Sequence, residues 1–260
     1  ACGGGDSEEK APAESDIASE ATSESAGIQI APALGGDAAA VTDVSASSGD
    51  KFGGKLRVLG GDPPTLDPAL VSDTSSARIV LELFSGLVRL DNDLQIVPDL
   101  AETWVVTEGG TVYTFTIKDG AQYSDGTPVT ASDFKYAMER AANPDTESTT
   151  AELYLADIVG VMEIIDGNAL AASGIEVLDD KTLKITIDAP KAYFLAKLTY
   201  PTAFALMKSN VESGGQTWTD NPIGSGPFIL EEYRIGERMI LARNENYYDR
   251  NSSHGSAETR

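Results

Sequence analysis

The chain has 260 residues, a formal net charge of −22 and 41% hydrophobic residues. That length holds one large or two small domains with a real core, and the charge argues against nucleic acid or an anionic membrane surface as partner. One cysteine, Cys2, and one histidine, His254, exclude an internal disulfide and a Cys/His zinc site, and leave nucleophile–histidine chemistry without a histidine in any stretch that reads as folded.

Residues 1–50 hold ten acids and one base and are rich in Ala, Ser and Gly. Such a composition buries too little apolar surface to offset its conformational entropy, so this stretch is expected to be a disordered, self-repelling tether. Ala1-Cys2-Gly3 resembles the end of a bacterial lipobox, which predicts lipidation of Cys2 after removal of a signal peptide. No apolar run reaches the length of a membrane span; Ala192–Met207 comes nearest and is broken by Lys197 and Pro201.

Order is expected from about Phe52. Lys55–Leu59 reads as a strand, followed by the turn residues Gly60–Pro64. Ser72–Ser76 offers several N-cap residues, and Ile79, Val80, Leu83, Phe84 and Leu87 then recur at helical spacing. Leu87–Leu90 and Leu94–Val97 flank Asp91-Asn92-Asp93 as a hairpin. That turn resembles the opening of a calcium loop, but Ile96 stands where such a loop needs Gly and only Glu102 matches, so a hairpin turn is the better reading. Trp104 reads as a core anchor.

Val112–Lys118 alternates like a half-buried strand, and Asp119-Gly120 and Asp125-Gly126 are turns. Thr130, three residues before Asp133, has capping-box spacing, and the helix it opens puts Phe134, Ala137, Met138 and Ala141 on one face before Asn143-Pro144 stops it. A helix is expected from Ala151, carrying Leu153, Tyr154, Leu155, Ile158 and Val159. Val177–Ile187 is expected as strand–turn–strand, Tyr193–Leu198 as a short helix, and Phe228–Tyr233 with Met239–Arg243 as a hairpin. Gly224-Ser225-Gly226 lacks the remainder of a phosphate-binding loop.

Four stretches taken together are more specific than their pieces. They are Thr65-Leu66-Asp67-Pro68, the run Pro98-Asp99-Leu100-Ala101-Glu102-Thr103-Trp104, the run Tyr123-Ser124-Asp125-Gly126-Thr127-Pro128-Val129-Thr130-Ala131-Ser132-Asp133-Phe134, and Pro222-Ile223-Gly224-Ser225-Gly226-Pro227-Phe228. With Asn244–Asp249, where Glu245 takes the place of a usual Pro, they resemble the extracellular solute-binding proteins of family 5. Those are the peptide-, oligopeptide- and nickel-binding components of bacterial ABC importers. The resemblance runs from about Lys55 to Asp249, and the segment that includes Gly174–Pro190 and Tyr193–Pro201 looks closest to the oligopeptide binders.

The resemblance implies an α/β fold, a periplasmic-binding-protein type II-like clamshell. Lobe I is expected from residues 51–84 and 188–250, and a small accessory domain from 85–187. Residues 251–260 are expected to be a polar tail, and the second lobe to be missing from this chain. The implied function is capture of oligopeptides outside the membrane and delivery to an ABC permease with its ATPase. The expectation is a monomer held to the membrane by its lipid anchor, with no cofactor, no metal and no enzymatic activity. Asp73, Thr74 and Ser75 are expected to face the cleft, with Tyr154 and the Gly224-Ser225-Gly226 loop as further ligand-binding candidates. In the oligopeptide binders the acid that pairs with the peptide amino terminus lies in the second lobe, so this chain alone is expected to bind peptide weakly or not at all. The same scaffold binding a nickel complex, a sugar or an opine is the alternative, as is a surface interaction or adhesion lipoprotein.

Overall fold

The computed structural model describes residues 54–249. The expected tether, the lipidation residue Cys2, His254 and the polar tail all lie outside the described residues.

The first expected element does not form. Residues 54–62 carry no regular structure, and Leu56 and Leu59 are 83% and 98% exposed. A strand exists only through ladder bonds to a neighbour, and no strand among the described residues pairs with this one. A 3-10 turn at Pro68–Leu70 follows, capped by the Asp67 side chain.

Helix α1 spans Thr74–Leu83, with the Asp73 carboxylate accepting from the Ser76 N–H at 2.9 Å. The periodicity carries Phe84 and Leu87 past the helix, since the chain turns extended at Phe84. Both are nonetheless fully buried. β1 (Val88–Leu90) and β2 (Ile96–Pro98) form the expected hairpin. Its turn is held by Asp91 Oδ1, which accepts from the Asp93 and Gln95 amides at 2.9 and 2.8 Å.

β3 (Ala101–Thr107) and β4 (Val112–Ile117) pair antiparallel. Helix α2 (Ala131–Ala142) begins at the predicted capping box, in which the Thr130 N–H donates to Asp133 Oδ2 at 2.8 Å. The single helix expected after Ala151 is two short ones, α3 (Ala151–Leu155) and α4 (Val161–Ile165). Gly160 lies between them at φ 87°, and a Cβ there would meet the Ser173 amide at 2.6 Å, so only glycine fits the break. β5 (Ile175–Asp179) and β6 (Thr182–Thr186) complete a four-stranded sheet in the order β3-β4-β6-β5. Its inner face presents Tyr113, Phe115, Ile117, Ile175, Leu183 and Ile185 to Phe134, Met138 and Ala141 of α2, all buried. Trp104 is partly buried against this core, its ring 6.5 Å from Phe115.

α5 (Phe194–Lys197) and α6 (Lys208–Gly214) precede the final hairpin of β7 (Phe228–Arg234) and β8 (Arg238–Arg243). A second apolar cluster joins Leu66, Val71, Val80, Leu83, Phe84, Phe204, Leu206 and Trp218, with Leu230 and Leu241 of the hairpin packed against it. Helix α2 belongs to both clusters, because Ala137 faces the second one. Asp157, nearly buried, ties the α3–α4 connection to α5 through Lys197 at 2.7 Å and to the turn before that helix through Lys191 at 2.6 Å.

Candidate functional site

The site begins at the loop between the Pro68–Leu70 turn and α1. Pro68 cannot continue a strand, and Asp73 has the short carboxylate that satisfies an orphan amide at a helix start, so the chain is turned and capped here by its own sequence. Ser72, Thr74 and Ser75 are exposed, while Val71 and Ser76 on either side are fully buried. A polar ridge is thus presented by two buried anchors. The Ser76 amide and hydroxyl, beside the Asp73 carboxylate, hold its pKa below the ordinary aspartate value. Asp73 therefore stays charged at the exposed rim.

Two tyrosines flank this ridge. Tyr200 donates its hydroxyl to the Val71 carbonyl at 3.0 Å. Tyr154 of α3 lies flat on Tyr200, with ring centroids 3.8 Å apart and planes 6° from parallel. Burial pushes the Tyr200 hydroxyl pKa up, and the neighbouring Tyr154 and Asp73 add to that shift. The structure thus brings Asp73, Thr74, Ser75 and Tyr154 to one place, joined through Tyr200. A half-buried aromatic face beside a charged polar rim suits a ligand with both apolar and hydrogen-bonding parts.

Gly224, Ser225 and Gly226 are elsewhere. They pack against the C-terminal end of α1, a ten-residue helix and hence about 15 Å from its Asp73 cap. Ser225 is fully buried and its hydroxyl accepts from the Ser85 amide at 3.2 Å. A Cβ on Gly224 would lie 1.9 Å from the Leu83 carbonyl oxygen, and one on Gly226 2.5 Å from that of Glu82. The glycines are there because two backbones touch.

The loop also rests on residues that sequence reasoning missed. Arg140 of α2 forms a two-pronged pair with Asp67, Nη1 to Oδ1 at 3.0 Å and Nη2 to Oδ2 at 2.6 Å. No local signal links residues 73 positions apart. Tyr200 carries no sequence signal beyond the Pro201 that follows it. Among the described residues there is no group of three or more His, Cys, Asp or Glu that could hold a metal. No helix among them is long and apolar enough to cross a membrane.

The family described as bacterial extracellular solute-binding proteins, family 5 middle, matches residues 95–256. The probable deoxycholate-binding periplasmic protein YgiS of Escherichia coli is 37% identical over 192 residues, covering 72% of this chain and 36% of that one. The periplasmic murein peptide-binding protein MppA of Escherichia coli is 36% identical over 198 residues, covering 75% of this chain and 36% of that one. Among solved structures, the Escherichia coli murein tripeptide binding protein MppA superposes with a TM-score of 0.69 at 36% identity, over 74% of this chain and 38% of that one. OppA of Listeria monocytogenes bound to peptide gives 0.70 at 29% identity, over 74% and 38%. The chain thus spans little more than a third of the length of the curated relatives it matches.

Proposed function

Because the chain belongs to family 5 of the bacterial extracellular solute-binding proteins, with their α/β type II clamshell fold, we propose that it captures oligopeptides outside the membrane for an ABC importer. The observation that carries this is the 36% identity to a murein peptide-binding protein across three quarters of the chain. On this reading Asp73, Thr74, Ser75 and Tyr154 belong to the cleft wall. Main-chain bonds to an extended peptide would supply affinity without strict sequence demands. Gly224, Ser225 and Gly226 would act behind that wall, holding α1 in place. Lobe I would be residues 51–84 and 188–250, built on the Val80–Leu83–Trp218 cluster, and the accessory domain 85–187, built on the four-stranded sheet. A second lobe would close on the ligand by a hinge motion and bring the acid that pairs with the peptide amino terminus. Lipidation at Cys2, the tether 1–50, a monomeric state and docking on a permease complete the proposal. Like its relatives, named as binding proteins, it would bind and deliver rather than transform its ligand.

A second reading has its own support. The relative named as probably deoxycholate-binding is 37% identical over 192 residues, which favours an amphipathic non-peptide solute. One experiment separates the two. The full-length gene product is purified and denatured, and the released ligand is identified by mass spectrometry. A heterogeneous set of short peptides supports peptide capture. A single steroid-like or other non-peptide solute overturns the substrate class and keeps the scaffold.

A further inference from the structure

Asp73 does not stand alone at the rim. Behind it runs an unbroken chain of hydrogen bonds. The Ser76 amide donates to Asp73 Oδ1 at 2.9 Å. The Ser76 hydroxyl oxygen accepts from the Thr65 amide at 3.2 Å. The Thr65 hydroxyl oxygen accepts from the Asp67 amide at 3.0 Å. Asp67 in turn holds the Ala69 amide at 3.0 Å and takes both prongs of the Arg140 guanidinium. Ser76 is fully buried and Asp67 is 5% exposed, and Thr65 between them is partly buried, so both ends of the relay's inner half are anchored within the protein.

We propose that Arg140 is a positioning residue for the ligand-facing loop: through Asp67, Thr65 and Ser76 it fixes the backbone from Val71 to Ser75 and the direction of the Asp73 carboxylate. This rests on the reading of that loop as cleft wall. Three features make Arg140 suited to the task. Its fork matches both carboxylate oxygens, which a lysine cannot do, and two parallel bonds fix direction as well as distance. Its own placement is over-determined: Thr146 Oγ1 donates to its carbonyl at 2.6 Å, and its guanidinium lies 5.7 Å from the Trp218 ring centroid. And it lies one turn from Ala137, which packs with Val80 and Leu83 of α1. The helix that carries the guanidinium and the helix whose start it positions thus share one apolar cluster.

The proposal separates Arg140 from its neighbour Glu139. Glu139 pairs with Lys135 at 3.0 Å and accepts from the Ala172 amide at 3.0 Å, on a side of α2 that does not touch the loop. The test uses the full-length protein in five forms: wild type, Arg140→Gln, the conservative variant Arg140→Lys, Ser76→Ala and the control Glu139→Gln. Amide hydrogen exchange is measured on the ligand-free protein over residues 70–78. Affinity is measured by titration with an equimolar pool of tri- to pentapeptides well below each melting temperature. The expected result is faster exchange at Ser76 and Ala77 in Arg140→Gln, Arg140→Lys and Ser76→Ala. Peptide affinity falls with it, by about two- to thirtyfold, the range that substitutions along a hydrogen-bonded network produce. Glu139→Gln lowers the melting temperature and changes neither. The proposal is overturned if Arg140→Gln melts earlier while exchange over 70–78 and peptide affinity stay at the wild-type values. It is overturned equally if Arg140→Lys restores both. If the wild type binds no peptide at all, the functional reading fails, and the exchange arm still decides whether Arg140 positions the loop.

Discussion

Replacing Gly224 by alanine tests whether the Gly224-Ser225-Gly226 segment is a packing device. The added carbon would lie 1.9 Å from the Leu83 carbonyl oxygen and 2.9 Å from its carbon. Carbon–oxygen contacts seldom close below about 3.3 Å, so the two backbones must part by roughly 1.4 Å. That same Leu83 oxygen accepts from the Gly226 amide at 2.9 Å, and a retreat of this size breaks the bond. Loss of one net hydrogen bond costs about 1 kcal/mol and overpacking a buried contact about 1–3 kcal/mol, so the sum is about 3 kcal/mol. For a folded region of this size that lowers the melting temperature by roughly 6–12 °C. The assay is a thermal melt followed by circular dichroism or calorimetry, with Gly120→Ala as control. Gly120 has nothing within 4 Å of its missing Cβ, and its variant is expected to melt within a degree or two of wild type. If Gly224→Ala melts alongside that control, the close approach of α1 to this segment is wrong and the packing account falls with it.

Asp157→Asn leaves Lys191 and Lys197 facing a neutral amide, and since Lys191 keeps Asp188 at 2.7 Å the expected cost is about 2 kcal/mol, below the full penalty of a broken buried pair. Asp188→Asn, at an exposed carboxylate, is expected to cost under about 0.5 kcal/mol, both variants being measured by denaturant titration. Burial pushes the Asp157 pKa up, but the hydrogen bonds from Lys191 and Lys197 outweigh it and the group titrates below the usual aspartate value. Its contribution is therefore present above the unfolded value of about 3.9 and lost as pH falls through the lower folded value, so the gap between wild type and Asp157→Asn narrows only below about pH 4. Equal gaps at pH 7 and pH 2.5 would sink this account. Tyr154→Phe keeps the ring on Tyr200 and is expected to leave stability within about 0.5 kcal/mol, whereas Tyr154→Ala loses the stack, about 0.5–1.5 kcal/mol, and weakens ligand binding in a titration of the full-length protein. Thr130→Ala removes one half of the capping box and should cost about 1 kcal/mol in a chemical melt.

What could be read before the structure was mostly local. The Thr130–Asp133 box, the apolar face Phe134–Ala141 and the Asp91–Asp93 turn depend on residues within a few positions of one another, and each folds as its spacing says. The cap at Asp73 was legible for the same reason, since capping chemistry is short-range, whereas the expectation that Asp73, Thr74 and Ser75 face a cleft came from the family resemblance and not from spacing. Lys55–Leu59 failed because alternation describes a strand's faces, and its edges are satisfied only by a neighbour. The helix after Ala151 broke in two because Gly160 takes a left-handed φ where Ser173 crosses, a long-range contact invisible in an apolar count. The Arg140–Asp67 pair and the Tyr154–Tyr200 stack are long-range as well. Charge and aromaticity mark those residues as capable of pairing, and only the fold chooses the partner.

Helix α2 has a consequence for how this protein changes over generations. Of its twelve positions, only Ser132 is exposed; six are buried and the other five are partly covered. An ordinary surface helix keeps a wet side on which substitutions drift with little effect. This one has almost no such side. A change that suits the sheet below it must also suit α1 beside it, and few do. Sequence drift in this protein is therefore expected to spare Ala131–Ala142 and to accumulate instead on the exposed turns, such as Leu94 and Ile235, where nothing rests on the side chain.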